Sequence, residues 1–126
     1  MSVSQFQIDS HGHRTHTCGA LRAEHIGQDV VLKGWVDTRR DLGGLIFVDL
    51  RDRYGITQIV FNPQDNPAAA SIAEGLRFEY VITIKGKAIS REVAARNTDL
   101  PTAAVEVMVE DVIVLNSADP LPFMVS

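Results

Sequence analysis

The sequence has 126 residues, of which 45% are hydrophobic and 22% charged, and this composition predicts one soluble domain with a single packed core. It has no apolar run near the roughly 18 residues that span a bilayer and no signal-peptide pattern, so a membrane protein is excluded and a cytoplasmic location is expected. The lone Cys18 excludes an intramolecular disulfide framework, and the phosphate-binding patterns GxxxxGK(S/T) and GxGxxG are absent.

The net charge of -4 is unevenly distributed along the chain. From Asn97 onward there are five acidic residues and no lysine or arginine, whereas residues 1–96 hold all 12 basic residues against 11 acidic ones. The arginines occur locally, as at Arg39-Arg40. This pattern excludes a strong nonspecific phosphate binder but permits a selective nucleic-acid partner.

The first half of the chain predicts a tail, a short helix and three strands. Residues 1–13 are polar and without periodicity, and a helix from Ala20 to Ile26 would end at Gly27. Gly34 marks a bulge or sharp bend inside the first strand. The predicted strands are Val30 to Asp37, Leu45 to Arg51 and Ile56 to Phe61, with a hairpin turn at residues 52–55 between the last two.

The second half predicts one longer helix and two more strands. Asn66-Pro67 is typical of a helix start, and that helix would run to about Arg77. Strands are expected from Tyr80 to Ile89 and from Val105 to Leu115, with a polar loop between them. Three strands, a helix and two strands is the order of an all-β OB-fold, a five-stranded Greek-key barrel with one short and one longer helix.

Alternation along the second and third strands predicts which side chains face outward. Ile46, Val48 and Leu50 form a uniformly apolar set that should face the core, which leaves Phe47 outward. On the third strand Thr57, Ile59 and Phe61 are the expected core set and Gln58 falls in the outward set, so an exposed aromatic would lie beside an exposed amide. An aromatic ring can stack a base and an amide can read its Watson–Crick edge. Packing of Phe47 under a loop, with Gln58 merely solvated, remains open from the pattern alone.

Residues 34–58, GWVDTRRDLGGLIFVDLRDRYGITQ, closely resemble the N-terminal domain of bacterial-type aspartyl-tRNA synthetases. The match continues upstream through residues 14–19 and downstream through residues 76–80, 97–102, 105–107 and 119–123. Departures occur at Thr38, Phe78 and Ala103-Ala104, where the family usually has other residues. The resemblance implies an OB-fold that binds the three splayed anticodon bases of a tRNA.

The resemblance also implies individual roles for RNA-binding residues. Phe47 matches the aromatic that stacks on the central uracil, and Gln58 matches the amide that reads its edge. Arg40 matches a loop arginine placed by the third base, a cytosine. Glu106 matches the carboxylate that faces the first base, a guanine, whose N1–H and N2–H donors lie along one edge. Polar positions of the loop between strands four and five are matched by Arg91 and Asn97.

The resemblance implies a parent enzyme, an aspartate–tRNA ligase of class II that uses ATP and magnesium in a catalytic domain and forms a homodimer. Its tRNA carries the aspartate anticodon, and whether the asparagine tRNA is also charged stays open. Residues 14–116 would be the anticodon-binding domain, and residues 117–126 the start of a hinge toward a catalytic domain that this sequence lacks. This segment is therefore expected to hold no catalytic residue, cofactor or metal.

Alternative functions remain to be weighed against this interpretation. His11, His13, His16 and Cys18 are possible metal ligands, but their spacing matches no closed zinc site, which favours a polar tail. A stand-alone OB-fold that binds single-stranded nucleic acid should carry several outward aromatic residues and a basic groove, whereas this sequence predicts one outward aromatic residue on that face. A pure interaction domain would not need Phe47, Gln58 and Glu106 together on outward strand positions.

Overall fold

The computed structural model describes residues 14–91 and 101–116, and these contain five strands, one α-helix and one 3-10 helix. The strands are long enough to cross a small barrel, and the first two alternate more buried and less buried side chains over most of their length. In chain order the elements are the 3-10 helix Ala23–His25, β1 Asp29–Leu42, β2 Leu45–Asp52, β3 Gly55–Phe61, α1 Pro67–Ala73, β4 Val81–Ser90 and β5 Val105–Asn116.

The five strands close into a barrel in the order β1-β2-β3-β5-β4, and β4 returns to pair with β1. The pairing of β3 with β5 is parallel, and the other four pairings are antiparallel. Helix α1 lies in sequence between β3 and β4. This arrangement confirms the predicted OB-fold, because three strands, a helix and two strands close one Greek-key barrel.

The barrel interior is filled by one face of each strand. The sets predicted from alternation are confirmed, since Ile46, Val48 and Leu50 of β2 and Thr57, Ile59 and Phe61 of β3 are all buried. Helix α1 adds Ala69, Ala70 and Ala73 to the same core. With β2 and β3 anchored from inside, the opposite faces of these strands are fixed on the outside of the barrel.

The first strand is longer than predicted, because β1 continues past Asp37 to Leu42. Its register with β2 shifts between Val36 and Thr38, and pairing then resumes up to a two-residue turn. That turn is Gly43-Gly44, in which both residues have positive φ, at 58° and 83°. Tight hairpin turns favour such glycines, so the strands pair right up to the turn.

Gly34 does not form the bulge that the sequence predicted. The register of β1 is regular there, and the irregularity comes later, between Val36 and Thr38. A Cβ atom at Gly34 would overlap the carbonyl of Arg51 on the neighbouring strand. The glycine is therefore required by a close backbone approach, which is the other physical reason for glycine inside a strand.

Both helices are shorter than predicted. The first helix is a single 3-10 turn, in which the Arg22 N–H donates to His25 Nδ1 at 2.9 Å. It ends before Gly27, whose φ is 94°. Helix α1 begins as expected, because Asn66 Oδ1 accepts the Ala69 N–H at 3.0 Å, but it ends at Ala73 rather than near Arg77. No helix in the described part of the chain is long and apolar enough to span a membrane.

Asp52 ties the β2–β3 turn to the segment that precedes β1. Its Oδ1 accepts the N–H groups of Tyr54 and Gly55 at 2.8 and 3.1 Å, and its Oδ2 accepts the Cys18 N–H at 2.8 Å. Burial, together with the Asp52 carboxylate, raises the pKa of the Cys18 thiol. A hydrogen bond from the Thr57 hydroxyl to the Cys18 carbonyl, at 2.6 Å, completes the connection. The turn is thus held in one position against the barrel.

Candidate nucleic-acid interface

Two rows of side chains on the outer face of the barrel cross all five strands, in the order β1, β2, β3, β5 and β4. Residues directly opposite on adjacent strands share a face, so each row forms a continuous line on the surface. The first row is Arg40, Phe47, Val60, Met108 and Lys87. The second row is Thr38, Asp49, Gln58, Glu106 and Ile89.

Phe47 and Gln58 lie in neighbouring rows, one pair apart, as alternation predicted. Phe47 is half-buried, and Gln58 retains only 6% of its accessible surface. The prediction of an exposed amide is therefore wrong, although the face is right. Side chains from β1 and β5 contact the two ends of the Gln58 amide.

A chain of hydrogen bonds runs through Gln58 and joins three strands. Arg40 Nη2 donates to Gln58 Oε1 at 2.8 Å, and Gln58 Nε2 donates to Glu106 Oε1 at 2.7 Å. Because a cation faces the amide oxygen and a carboxylate faces the amide nitrogen, this network assigns the orientation of the amide. A nearly buried amide with both ends satisfied is held in one geometry.

Arg40 also lies over the aromatic ring of the site. Its Cζ atom is 5.9 Å from the centre of the Phe47 ring, within the range of a cation–π contact. The sequence placed Arg40 in a loop, and this expectation is wrong, because Arg40 belongs to β1 and pairs directly with Phe47. The extended strand is what brings the guanidinium above the ring and within reach of Gln58.

Glu106 and Arg91 occupy the same end of the β4–β5 pair. Glu106 is opposite Ile89, and Ser90 is opposite Val105, so Arg91 follows directly after this pairing. The Arg91 N–H donates to the Ala104 carbonyl at 3.0 Å, which fixes the backbone at this end. Asn97, the remaining predicted site residue, lies outside the described residues.

The histidine and cysteine cluster separates in the structure. His11 and His13 lie outside the described residues. The centres of the His16 and His25 rings lie 4.8 Å apart. Burial, and to a lesser extent this neighbouring ring, lowers the pKa of His16. The Cys18 thiol points to the Lys33 carbonyl at 3.7 Å. Within residues 14–91 and 101–116, no three His, Cys, Asp or Glu side chains are grouped as metal ligands.

Sequence reasoning missed several contributors to this surface. Thr38 donates its hydroxyl proton to Asp49 Oδ2 at 2.7 Å, which holds that carboxylate beside Gln58 in the second row. In the first row the buried Val60 and the half-buried Met108 follow Phe47 on the next two strands. Alternation along β5 places Glu106 and Met108 on one face, but nothing local indicates that β5 lies parallel to β3.

The arrangement offers an aromatic face, a cation, an oriented amide and a carboxylate within two neighbouring rows of the barrel surface. A flat heterocycle can stack on an aromatic ring, and an amide offers both a donor and an acceptor to its edge. The second oxygen of the Glu106 carboxylate is not needed by Gln58 and can accept hydrogen bonds from a donor edge. Chemically, this suits unpaired nucleotide bases.

A family model described as an OB-fold nucleic acid binding domain of the tRNA anticodon type matches residues 30–115. The chain is 61% identical over 118 residues to an aspartate–tRNA(Asp/Asn) ligase from Salinibacter ruber, and 53% identical over 113 residues to one from Bacillus subtilis. These alignments cover 94% and 90% of this chain. The chain spans only 19% of each of these two relatives.

Solved structures show the same barrel. The asparaginyl-tRNA synthetase from Pyrococcus horikoshii is 29% identical with a TM-score of 0.69, and the alignment covers 85% of this chain and 24% of that one. An OBody bound to hen egg-white lysozyme, AM3L09, has a TM-score of 0.72 at 25% identity and covers 84% of this chain and 98% of its own.

Proposed function

Since this chain belongs to the family of OB-fold nucleic acid binding domains, we propose that it recognises the anticodon of a tRNA as the N-terminal domain of an aspartate–tRNA ligase. The observation that supports this most is the hydrogen-bonded chain Arg40–Gln58–Glu106 beside the Phe47 ring on the outside of the barrel. It combines a stacking surface with edge-reading groups at fixed spacing. Selective single-strand recognition requires both.

In this proposal each base has its own partner. The central uracil stacks on Phe47 in the place that the Arg40 guanidinium takes over the ring in this structure, and Gln58 pairs with the uracil edge. Arg40 lies next to the third base, a cytosine. Glu106 accepts the N1–H and N2–H donors of the first base, a guanine. Arg91 and Asn97, which lie between β4 and β5 in the sequence, would contact the same RNA strand.

A base has to pair with the hydrogen-bonding groups that the network leaves on Gln58, which are the second N–H of Nε2 and the second lone pair of Oε1. Both ends of the Gln58 amide already have partners, at 2.8 Å to Arg40 and 2.7 Å to Glu106. A base that offers a matching acceptor and donor pairs with these two groups, whereas a base with the wrong edge covers them and leaves them without a partner. An unsatisfied buried polar group costs about 1–3 kcal/mol, so discrimination follows from the same contacts that hold the free site.

The proposal extends to the whole parent protein. We infer an enzyme of the aminoacyl-tRNA ligase class that uses ATP and magnesium in a separate catalytic domain, works in the cytoplasm and forms a homodimer. The relatives from Salinibacter ruber and Bacillus subtilis carry names that include both the aspartate and the asparagine tRNA. Residues 14–116 are the anticodon-binding part in this proposal, with residues 117–126 leading toward a hinge.

A titration against anticodon stem-loops with single-base changes tests the function. We expect the loop with guanine, uracil and cytosine to bind most tightly, and a change of the central uracil to cytosine to weaken binding about tenfold or more, because the Gln58 amide then meets the wrong edge. The matched control is a stem-loop altered only within the stem pairs. Equal affinity for all anticodons would instead favour a stand-alone single-strand binding protein.

The dependence of binding on salt should be shallow. Basic residues are sparse, and the chain from Asn97 onward has none, so few phosphates can be neutralised. We expect the logarithm of the affinity to fall with the logarithm of salt concentration at a slope of about -2 to -3, given about 0.7 for each phosphate of a single strand. Titrations from low to moderate salt measure this slope. A slope steeper than about -5 would require a basic groove and contradict the proposal of selective readout.

A further inference from the structure

A second surface with RNA-binding chemistry lies at the β2–β3 turn, away from the two rows. Tyr54 at the tip of this turn keeps 56% of its accessible surface. The Cζ atoms of Arg14 and Arg53 lie 5.6 and 5.9 Å from the centre of its ring. One exposed ring therefore holds two guanidinium groups that come from different parts of the chain. We call Arg14, Arg53 and Tyr54 the turn cluster.

The turn cluster is held in place by the buried carboxylate of Asp52. Asp52 accepts the backbone N–H groups of both Tyr54 and Cys18, which joins the turn to the segment that carries Arg14. Gly19 lies so close to the Tyr54 carbonyl that a Cβ atom there would overlap it. The two arginines are thus brought together by a fixed backbone, so a ligand of both need not order the turn.

No ion pair neutralises the charge of the turn cluster within the described residues. Among residues 14–91 and 101–116, no carboxylate oxygen lies within ion-pair distance of Arg14 or Arg53. A third arginine, Arg22, lies nearby, because it donates to the carbonyl of Gly19 at 2.7 Å. By contrast, Arg51 on the intervening surface is paired with Asp37 at 3.2 Å. Exposed guanidiniums fit phosphate groups.

The outer face of β2 connects this cluster to the candidate interface. Every second residue from Phe47 onward faces outward, and this series passes through Asp49 and Arg51 to Arg53 just beyond the strand. The turn begins five residues beyond Phe47, which is about 16 Å along a strand. A base stacked on Phe47 cannot reach the turn, but a longer stretch of the same RNA strand can, since OB-folds take about 4–16 nucleotides.

From these contacts we propose that the turn cluster binds phosphates of the tRNA outside the anticodon triplet. This inference rests on the proposed anticodon-binding function. The guanidiniums of Arg14 and Arg53 contact the RNA backbone, and the Tyr54 ring keeps them in position through the two cation–π contacts. Phosphate contacts carry no base preference, so the cluster adds affinity without changing which anticodon is preferred.

The test compares an anticodon stem-loop with the isolated anticodon trinucleotide as ligands. The Arg14→Ala/Arg53→Ala double variant should bind the stem-loop roughly tenfold more weakly at 50 mM salt, and its salt slope should be shallower by about 0.7 for each lost phosphate contact. The ratio of the affinities for stem-loops with central uracil and central cytosine should stay unchanged. The affinity for the trinucleotide should also stay unchanged. Arg77→Ala, which removes an exposed arginine elsewhere, gives the general effect of one lost charge.

Variants of Tyr54 test the positioning role of its ring. Tyr54→Ala removes no charge but should weaken stem-loop binding, whereas Tyr54→Phe keeps the ring and should bind like the unmodified chain. Phe78→Ala removes a similarly exposed ring, at 62% accessibility, and serves as the matched control. Thermal unfolding midpoints verify that each variant folds.

Three results would overturn the inference. In the first, the double variant has the same stem-loop affinity and salt slope as Arg77→Ala. In the second, the double variant binds the trinucleotide more weakly by the same factor as the stem-loop. In the third, Tyr54→Phe weakens stem-loop binding as much as Tyr54→Ala. In each case the unmodified chain still discriminates among anticodons. Failure of the proposed function is distinguishable, because the unmodified chain would then show no anticodon preference at all.

Discussion

Replacing Phe47 by alanine should weaken binding of the anticodon stem-loop by about 1–3 kcal/mol, the range found when a base loses an aromatic stacking partner. The loss should fall on all central bases, because every base has a face that can stack. The fold should persist, since Phe47 is half-buried on the outer face while Ile46 and Val48 carry the core packing of β2. Affinity by titration and stability by denaturant unfolding measure the two effects separately.

Phe78→Ala is the matched control for Phe47→Ala. Phe78 keeps 62% of its accessible surface and lies outside both rows, so its removal should leave stem-loop binding unchanged. If Phe47→Ala instead unfolds the barrel, the ring belongs to the structural core and the stacking role is wrong. Unchanged affinity in a folded Phe47→Ala variant would also reject that role.

Replacing Gln58 by alanine should reduce selectivity more than total affinity. Phosphate contacts and stacking remain, but the edge-reading amide is lost, so the preference for central uracil over cytosine should narrow by about 1 kcal/mol. Stability should also fall by about 1–3 kcal/mol, because Gln58 is almost fully buried and Glu106 loses its hydrogen-bond donor. Titrations with the two stem-loops and denaturant unfolding give both quantities.

Gln64→Ala provides the control for the loss of an amide, since Gln64 is exposed in the loop after β3. It should alter neither the uracil-to-cytosine ratio nor the stability. A folded Gln58→Ala variant with an unchanged ratio would remove Gln58 from the reading site and reduce it to a structural bridge between Arg40 and Glu106.

Local patterns in the sequence were sufficient for the element types and the faces of the strands. Alternation in β2 and β3 assigned Ile46, Val48, Leu50, Thr57, Ile59 and Phe61 to the core, and all are buried. Element ends were less predictable. The sequence predicted that the first strand ends at Asp37, but its pairing with β2 continues to Leu42. The partner strand satisfies the backbone N–H and C=O groups of these residues, and the local composition does not show that this partner is there.

The sequence by itself determined the order of the elements, the outward side of Phe47 and Gln58, and the resemblance that names the candidate residues. Only the tertiary structure decided that Gln58 is buried and bonded at both ends. Glu106 is 48 positions further along the chain, and it reaches Gln58 because barrel closure lays β5 parallel to β3. Alternation is a property of one strand, whereas the neighbour of a side chain depends on which strands pair, and that is settled by packing of the whole core.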